Sequence, residues 1–259
     1  VTERRGIIVI ATGRYVGYVR PLLDSVRRHR AADHVFVLSD TLEPGSSGSS
    51  GRAGRADGVT WLPWGHVPWP APTLLRYHAI TSYAALLRDT VDRLLYLDVD
   101  MRVVGSCEQL WGPDLIAVAH PGYRDTPPAE RPYESRPASR AFTLGDASVP
   151  YVAGGVQGGS VETFLQVSAT LRDAISADLA EGLIARWHDE SHWNAFCAAA
   201  GGTVSVLGPE HCWPQSWVHT ATDPAPVVLA LDKDHHRLRG TRAGWRSRAR
   251  SLTRVLRTP

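Results

Sequence analysis

The chain has 259 residues, enough for one large α/β domain or two small ones, with ample length to bury a core. It is 43% hydrophobic and 21% charged, within the ordinary range for a globular chain, so neither a disordered nor a fibrous protein fits. The formal charge of +2 is uneven: Arg237 to Pro259 holds eight arginines and no acid, which leaves the body at −6 (2 − 8), without the basic footprint that nucleic acid requires.

In chain order, Gly6–Thr12 (GIIVIAT) reads as a first strand and Gly17–Arg30 as an amphipathic helix. His34–Asp40 (HVFVLSD) reads as a second strand. Gly45–Gly58, with two alanines as its only apolar residues, is predicted to be a flexible loop. VTWLPW resumes as a strand; Pro68, Pro70 and Pro72 then turn the chain into a helix over about Thr73–Arg88. RLLYLDVDMRV reads as one buried strand breaking into carboxylates, and Leu115–Tyr123 as a strand ending at Pro-Gly. PYVAGGVQGGS is an apolar run with two glycine pairs, Val161–Ala180 a helix, VSVLG a short strand and Val227–Asp232 a last strand.

Strand–helix alternation of this kind predicts a Rossmann-like mixed or mostly parallel sheet with helices on both faces. Ligands bind such sheets beyond the carboxyl ends of the strands, where this chain gathers polar residues. Three widely spaced cysteines (Cys107, Cys197, Cys212) without a C-x-x-C pair give neither a disulfide framework nor a thiolate zinc site, and suit a reduced, cytoplasmic setting. No run approaches the roughly 18 apolar residues that span a bilayer. The basic stretch Trp245–Arg257 suggests weak contact with an anionic membrane surface, at the inner face in a bacterium. Val1 at the start suits a bacterial frame opening on GTG or a trimmed chain, and one lysine against 27 arginines suits a GC-rich genome.

The chemistry concentrates in two places. An apolar strand delivers Asp98 and Asp100 two residues apart around Val99; carboxylates that close repel unless they are solvated turn aspartates or share a hard divalent cation, with diphosphate oxygens completing its shell. No G-x-x-x-x-G-K-[ST] loop is present, which removes a P-loop enzyme. The second place is Trp187–Asn194 (WHDESHWN), whose His188 and His192 stand i, i+4. A metal-dependent hydrolase centred there would depart from H-E-x-x-H, because Glu190 stands two residues after the first histidine. A non-catalytic carbohydrate-binding protein remains open on the nine tryptophans alone.

In order, DVDM (98–101), AHPGY (119–123), YESRP (133–137), GDASVPYVAGGVQGG (145–159), WHDESHWN (187–194), SVLGPEHCW (205–213) and DKDHHRLR (232–239) resemble glycosyltransferase family 6, the ABO histo-blood-group and α-1,3-galactosyltransferase family. The resemblance runs from about Ile7 to Arg239, about nine-tenths of the chain. It implies a GT-A fold: a single catalytic domain over 1–240, with residues 1–105 the nucleotide-binding half and 106–240 the acceptor-binding half, followed by a basic tail over 241–259. It further implies retaining transfer of galactose or N-acetylgalactosamine from UDP-galactose or UDP-N-acetylgalactosamine to a glycan or glycoside acceptor through an α-1,3 linkage.

By the same resemblance Asp98 and Asp100 hold Mn²⁺, or Mg²⁺ in its place. Many bacterial members carry Asn at both positions, so this chain resembles the metal-dependent animal type. Ile10, Ala11, Thr12 and Tyr15 match the segment that cradles uracil and ribose; Arg76, with Val99 and Asp189, falls beside the donor. Ala153, Gly154 and Gly155 match the segment that selects the donor sugar, and their small size favours the N-acetyl donor. His120, Trp187, His188 and Trp213 match the acceptor side, with Glu190 the carboxylate beneath the reacting carbon and Asp189 its neighbour. Lys233 and Arg239 match a C-terminal segment that closes on the diphosphate. Ser135 and Pro214 depart from the family's usual residues on the acceptor side.

Overall fold

A computed structural model of the chain describes residues 3–41, 55–56, 58–144, 149–220, 224–234 and 238. Three sequence expectations lie outside them: the Gly45–Gly54 stretch of the predicted loop, Arg239, and the basic tail.

The strands are β1 (Arg5–Ile10), β2 (His34–Ser39), β3 (Arg55–Ala56), β4 (Val59–Pro63), β5 (Arg93–Leu97) and β6 (Met101–Val103). They continue as β7 (Leu115–Ala119), β8 (Val152–Ser160), β9 (Ser205–Leu207), β10 (Trp213–Pro214) and β11 (Val228–Ala230). The helices are α1 (Val19–His29), α2 (Ala71–Leu74), α3 (Arg76–Ser82), α4 (Ala84–Thr90), α5 (Val161–Ala180) and α6 (Asp189–Ala200). Among the described residues the main sheet runs β3-β4-β2-β1-β5-β8-β7-β9, and a small second sheet runs β10-β11-β6. Strands β4, β2, β1 and β5 are mutually parallel; β8 is antiparallel to both β5 and β7, so the sheet is mixed.

The two faces follow from strand alternation. Ile8, Phe36, Leu38, Leu94 and Tyr96 pack with α2, α3, α4, α5 and α6 on one side. Ile7, Val9, Val35, Val37 and Leu95 pack with Val19, Leu22 and Val26 of α1 on the other. α5 keeps its predicted bounds, and its start is explained by Ser160, whose hydroxyl accepts from the Thr163 amide at 3.3 Å.

Several sequence expectations are corrected. The helix expected over Thr73–Arg88 is three short helices, interrupted at Leu75 (φ −95°, ψ 11°) and Tyr83 (φ −112°, ψ 16°), both outside the α region. The expected single strand RLLYLDVDMRV is two strands in different sheets, with Asp98, Val99 and Asp100 forming the link; the Met101 amide closes that turn on the Asp98 carbonyl at 3.1 Å. Within the stretch expected to be a loop, Arg55–Ala56 pairs antiparallel with β4.

The apolar run with two glycine pairs, assigned no element from sequence, is a nine-residue strand in the middle of the sheet. Its last glycines serve close approach. A Cβ on Gly158 would stand 2.4 Å from the Leu94 carbonyl oxygen, and one on Gly159 2.0 Å from that of Asp114.

Candidate active site

β5 carries the site's first two side chains, Tyr96 and, one step past its end, Asp98. Two residues apart along an extended chain, they point the same way. The Tyr96 hydroxyl donates to Asp98 Oδ1 at 2.7 Å, and Arg76 Nη2 donates to the same oxygen at 3.1 Å. Arg76 opens α3 and is buried, its guanidinium 4.3 Å from the Tyr96 ring centroid. It also donates to the Gly154 carbonyl at the start of β8 and lies 3.1 Å from Asp189 Oδ2. One guanidinium therefore ties the Asp98 turn, β8 and α6 together. Burial works against its charge, but Asp189, Tyr96 and Asp98 outweigh that and hold it firmly protonated.

Asp189 is buried at the first turn of α6. Desolvation pushes its carboxyl up to about 7, with Arg76 pulling the other way and the Asp98 and Glu190 charges adding to the rise. Glu190 sits beside it with both carboxylate oxygens engaged: Oε1 accepts from the Tyr151 hydroxyl and Oε2 from the Gly154 amide, each at 2.9 Å. Asn194, one turn on, bonds both backbone groups of Val152 at 2.8 Å and the Glu190 carbonyl at 2.9 Å, locking α6 to β8.

On the opposite flank, the small sheet brings β11 beside β6. The Leu231 amide donates to the Asp100 carbonyl at 2.9 Å, and Lys233 pairs with the buried Asp100 carboxylate.

Of these groups, Arg76, Tyr96, Asp98, Asp100 and Lys233 open on one cleft at the carboxyl ends of β1 and β5, whereas Asp189, Glu190, Tyr151 and Gly154 are not among its lining residues. Ile10, Thr12, Tyr15, Arg76, Asp98, Val99, Asp100 and Lys233 line it, eight of the residues expected on the donor side. Arg14, His66, Trp69 and Tyr96 line it too and were not foreseen. For Tyr96 a signal existed in its i−2 relation to Asp98. For His66 and Trp69 there was none, since the turn after β4 brings them in; His66 Nδ1 lies 3.1 Å from the Thr12 hydroxyl. Ala11 does not line the cleft: it is fully buried, its amide bonded to the Leu38 carbonyl at 2.8 Å.

Ala153 is likewise core. Gly155 is small because the chain itself demands it: a Cβ there would stand 2.6 Å from Met101 Cε and 3.0 Å from Asp98 Oδ2.

Among the residues expected on the acceptor side, His120 packs against Tyr123 (4.7 Å) and Tyr151 (5.9 Å), with Nδ1 accepting from the Gly122 amide at 3.1 Å. Its pKa falls through burial, partly countered by Glu190. Trp187 is 44% exposed, whereas Trp213 is buried beneath Trp217. His188 takes φ 54°, rare for a side-chain-bearing residue, and meets the Trp69 ring edge-on at 5.2 Å. α6 begins at Asp189, so both carboxylates stand in its first turn. His192 points elsewhere, 3.5 Å from buried Asp178, so His188 and His192 do not converge.

Asp98 and Asp100 offer hard oxygens suited to a divalent cation. Among the described residues no third His, Cys, Asp or Glu joins them. The pair therefore fits a cation that brings the rest of its shell from water and from a phosphate-bearing ligand.

A mixed sheet with carboxylates, an arginine and a lysine converging beyond β1 and β5 is the architecture of a GT-A glycosyltransferase fold. Residues 3–240 match glycosyltransferase family 6, and the chain belongs to that family. It is 31% identical over 239 residues to globoside α-1,3-N-acetylgalactosaminyltransferase 1 of Homo sapiens, covering 88% of this chain and 66% of that one. Histo-blood group ABO system transferase 1 of Rattus norvegicus is 28% identical over 90% of this chain and 68% of its own length. The O-antigen biosynthesis glycosyltransferase WbnI of Escherichia coli is 28% identical over 58% and 63%. The chain spans about two thirds of the length of the curated relatives it matches. No helix among the described residues is long and apolar enough to cross a membrane.

Proposed function

We propose that the protein is a retaining glycosyltransferase that moves galactose or N-acetylgalactosamine from a UDP-sugar to a hydroxyl of a glycan or glycoside acceptor, forming an α-1,3 linkage. The observation that carries this is the link made by Arg76 and Gly154: Arg76 meets Asp98, Asp189 and the Gly154 carbonyl, and the Gly154 amide donates to the Glu190 carboxylate. Donor-side charges and the acid placed under the reacting carbon are thus parts of one rigid unit.

Asp98 and Asp100 would hold a divalent cation, Mn²⁺ by the family's habit. When bound, it supplies positive charge to the diphosphate as UDP leaves. Arg76 and Lys233 hold those two carboxylates in place and add positive charge near the leaving group. Tyr15 and Thr12 lie where the nucleoside would rest, and His120 and Trp187 where the acceptor would dock. Glu190 faces the transferring hexose. Because both of its oxygens already accept protein hydrogen bonds, its charge is spread and fixed, which favours electrostatic support of an oxocarbenium-like transfer over attack to form a covalent intermediate. The human relative's name, globoside α-1,3-N-acetylgalactosaminyltransferase 1, supports an N-acetylgalactosamine donor; Ala153 and Gly155 add nothing to that choice, because core packing and the close approach of Met101 and Asp98 account for their small size.

The deciding experiment is UDP release from a panel of UDP-hexoses with Mn²⁺, repeated with a chelator and with Glu190→Gln. Turnover of the galactose-type donors, lost on chelation and in the variant, is expected. Turnover of UDP-glucose alone would overturn the donor assignment, and near-full activity in Glu190→Gln the role of that residue.

A further inference from the structure

Trp217 is 41% exposed, and its neighbour Val218 39%, yet the backbone beneath them is firmly held. The Trp217 carbonyl accepts from the Trp213 indole at 3.1 Å, and the two rings meet edge-to-face with centroids 6.1 Å apart. Two residues back, Gln215 Oε1 accepts from the Asp232 amide at 3.1 Å, next to Lys233 and its Asp100 partner. On the other flank, Arg124 stands 5.8 Å over the Trp213 ring. Arg124 directly follows Tyr123, which packs on Tyr151 (5.1 Å), the residue that bonds Glu190.

The segment Trp213–Trp217 therefore bridges the cation side of the cleft and the His120–Tyr123–Tyr151 wall. It presents an indole to solvent at the end of that wall. An indole whose backbone is already fixed through its own carbonyl loses little freedom when a ligand covers it, and its flat apolar face with one polar edge suits a sugar ring.

We infer that Trp217 is a specificity-determining residue for the acceptor, a platform on which the apolar C–H face of an acceptor sugar ring stacks. The inference rests on the transferase reading above and adds to it a residue outside the donor cleft. The ring it serves is the one beyond the sugar that receives the hexose, because the receiving hydroxyl must reach the anomeric carbon of the donor hexose while Trp217 stands at the far end of the wall. Disaccharide acceptors then gain from Trp217, and single-ring acceptors do not.

The test uses the full chain with Mn²⁺ and UDP-N-acetylgalactosamine or UDP-galactose, whichever is turned over. Acceptors are β-galactosides and β-N-acetylgalactosaminides, each as a methyl glycoside and within a disaccharide. Trp217→Ala and Trp217→Gln are expected to raise the disaccharide KM about tenfold, equivalent to about 1.4 kcal/mol, with Trp217→Phe restoring most of it. The methyl glycoside KM, the donor KM and acceptor-free donor hydrolysis should stay within twofold. The Trp213 contact uses a main-chain carbonyl, so the polar variant keeps the local fold, and unchanged donor hydrolysis reports that it has. Disaccharide KM unchanged in both variants, with hydrolysis intact, would overturn the platform. A wild-type chain that hydrolyses no UDP-hexose, or glycosylates none of the acceptors, would instead overturn the transferase reading.

Discussion

The Tyr151 hydroxyl donates to Glu190 Oε1 at 2.9 Å, and Tyr151 is itself buried. Burial first, and then the Glu190 charge, push the phenol's pKa far up, so it stays a donor at every pH the protein meets. Tyr151→Phe removes that donor while leaving the ring packing with Tyr123 and Tyr133 in place. The expected result is a fall in kcat of about tenfold, roughly 1.4 kcal/mol, with donor KM little changed. Steady-state UDP release reads it; an unchanged kcat would mean that Gly154 alone orients Glu190.

Arg76→Lys should be far from conservative. A lysine amine can meet one of the groups that the guanidinium serves together: Asp98, Asp189 and the Gly154 carbonyl. Leaving buried Asp189 short of its partner costs about 3 kcal/mol, or a lowering of Tm by roughly 6–12 °C in a chain this size. Scanning calorimetry of the two proteins checks it. A Tm within 2 °C of wild type would show that the ion pair is replaceable.

Glu134 gives the acid limb of stability. Its carboxylate accepts from the Arg136 side chain at 2.7 and 2.8 Å and from the Arg136 and Arg186 amides, and Arg136 foremost holds its pKa down to about 2. A depressed carboxyl stabilises the fold above its unfolded value, near 4.5, and that contribution is lost as pH falls toward about 2. Glu134→Gln should therefore unfold about 2 kcal/mol more easily at pH 7 and lose part of the steep acid dependence. Urea midpoints at pH 7, 4.5 and 3 would reveal it; parallel pH curves for both proteins would contradict it.

Gly159→Ala should damage the whole sheet. The added methyl would run into the Asp114 carbonyl, a backbone atom on the neighbouring strand that cannot swing aside. The expected cost exceeds about 3 kcal/mol, in the range of severe overpacking. Gly155→Ala is the milder companion, since Met101 Cε can move; there the expected effect is on Asp98 and thus on Mn²⁺ affinity, measured by titration calorimetry with UDP present.

What was legible in the sequence was what periodicity writes plainly. The apolar runs of β1, β2 and β5 and the long α5 lie where alternation and helical spacing put them. The convergence of Asp98, Asp100, Arg76 and Lys233 followed from ordered motifs. What stayed hidden depends on contacts between distant segments. The apolar run that forms β8 is given no element by the sequence because its glycine pairs signal freedom locally, and only the Leu94 and Asp114 carbonyls across the sheet make them a strand requirement. The breaks at Leu75 and Tyr83 carry no proline or glycine. The positive φ of His188 falls on a residue that gives no such hint. Tyr151 resembles any core tyrosine until Glu190, 39 positions on, is folded beside it.

The place of β8 has a consequence for how the chain is made. β5, complete at Leu97, offers its outer edge to a strand that ends only at Ser160. During synthesis that edge stands open while about sixty further residues emerge, a template for pairing with another nascent chain. Any shortened form that stops before residue 160 would keep the aspartates and lose the strand that covers β5, and should be recovered mainly as aggregate.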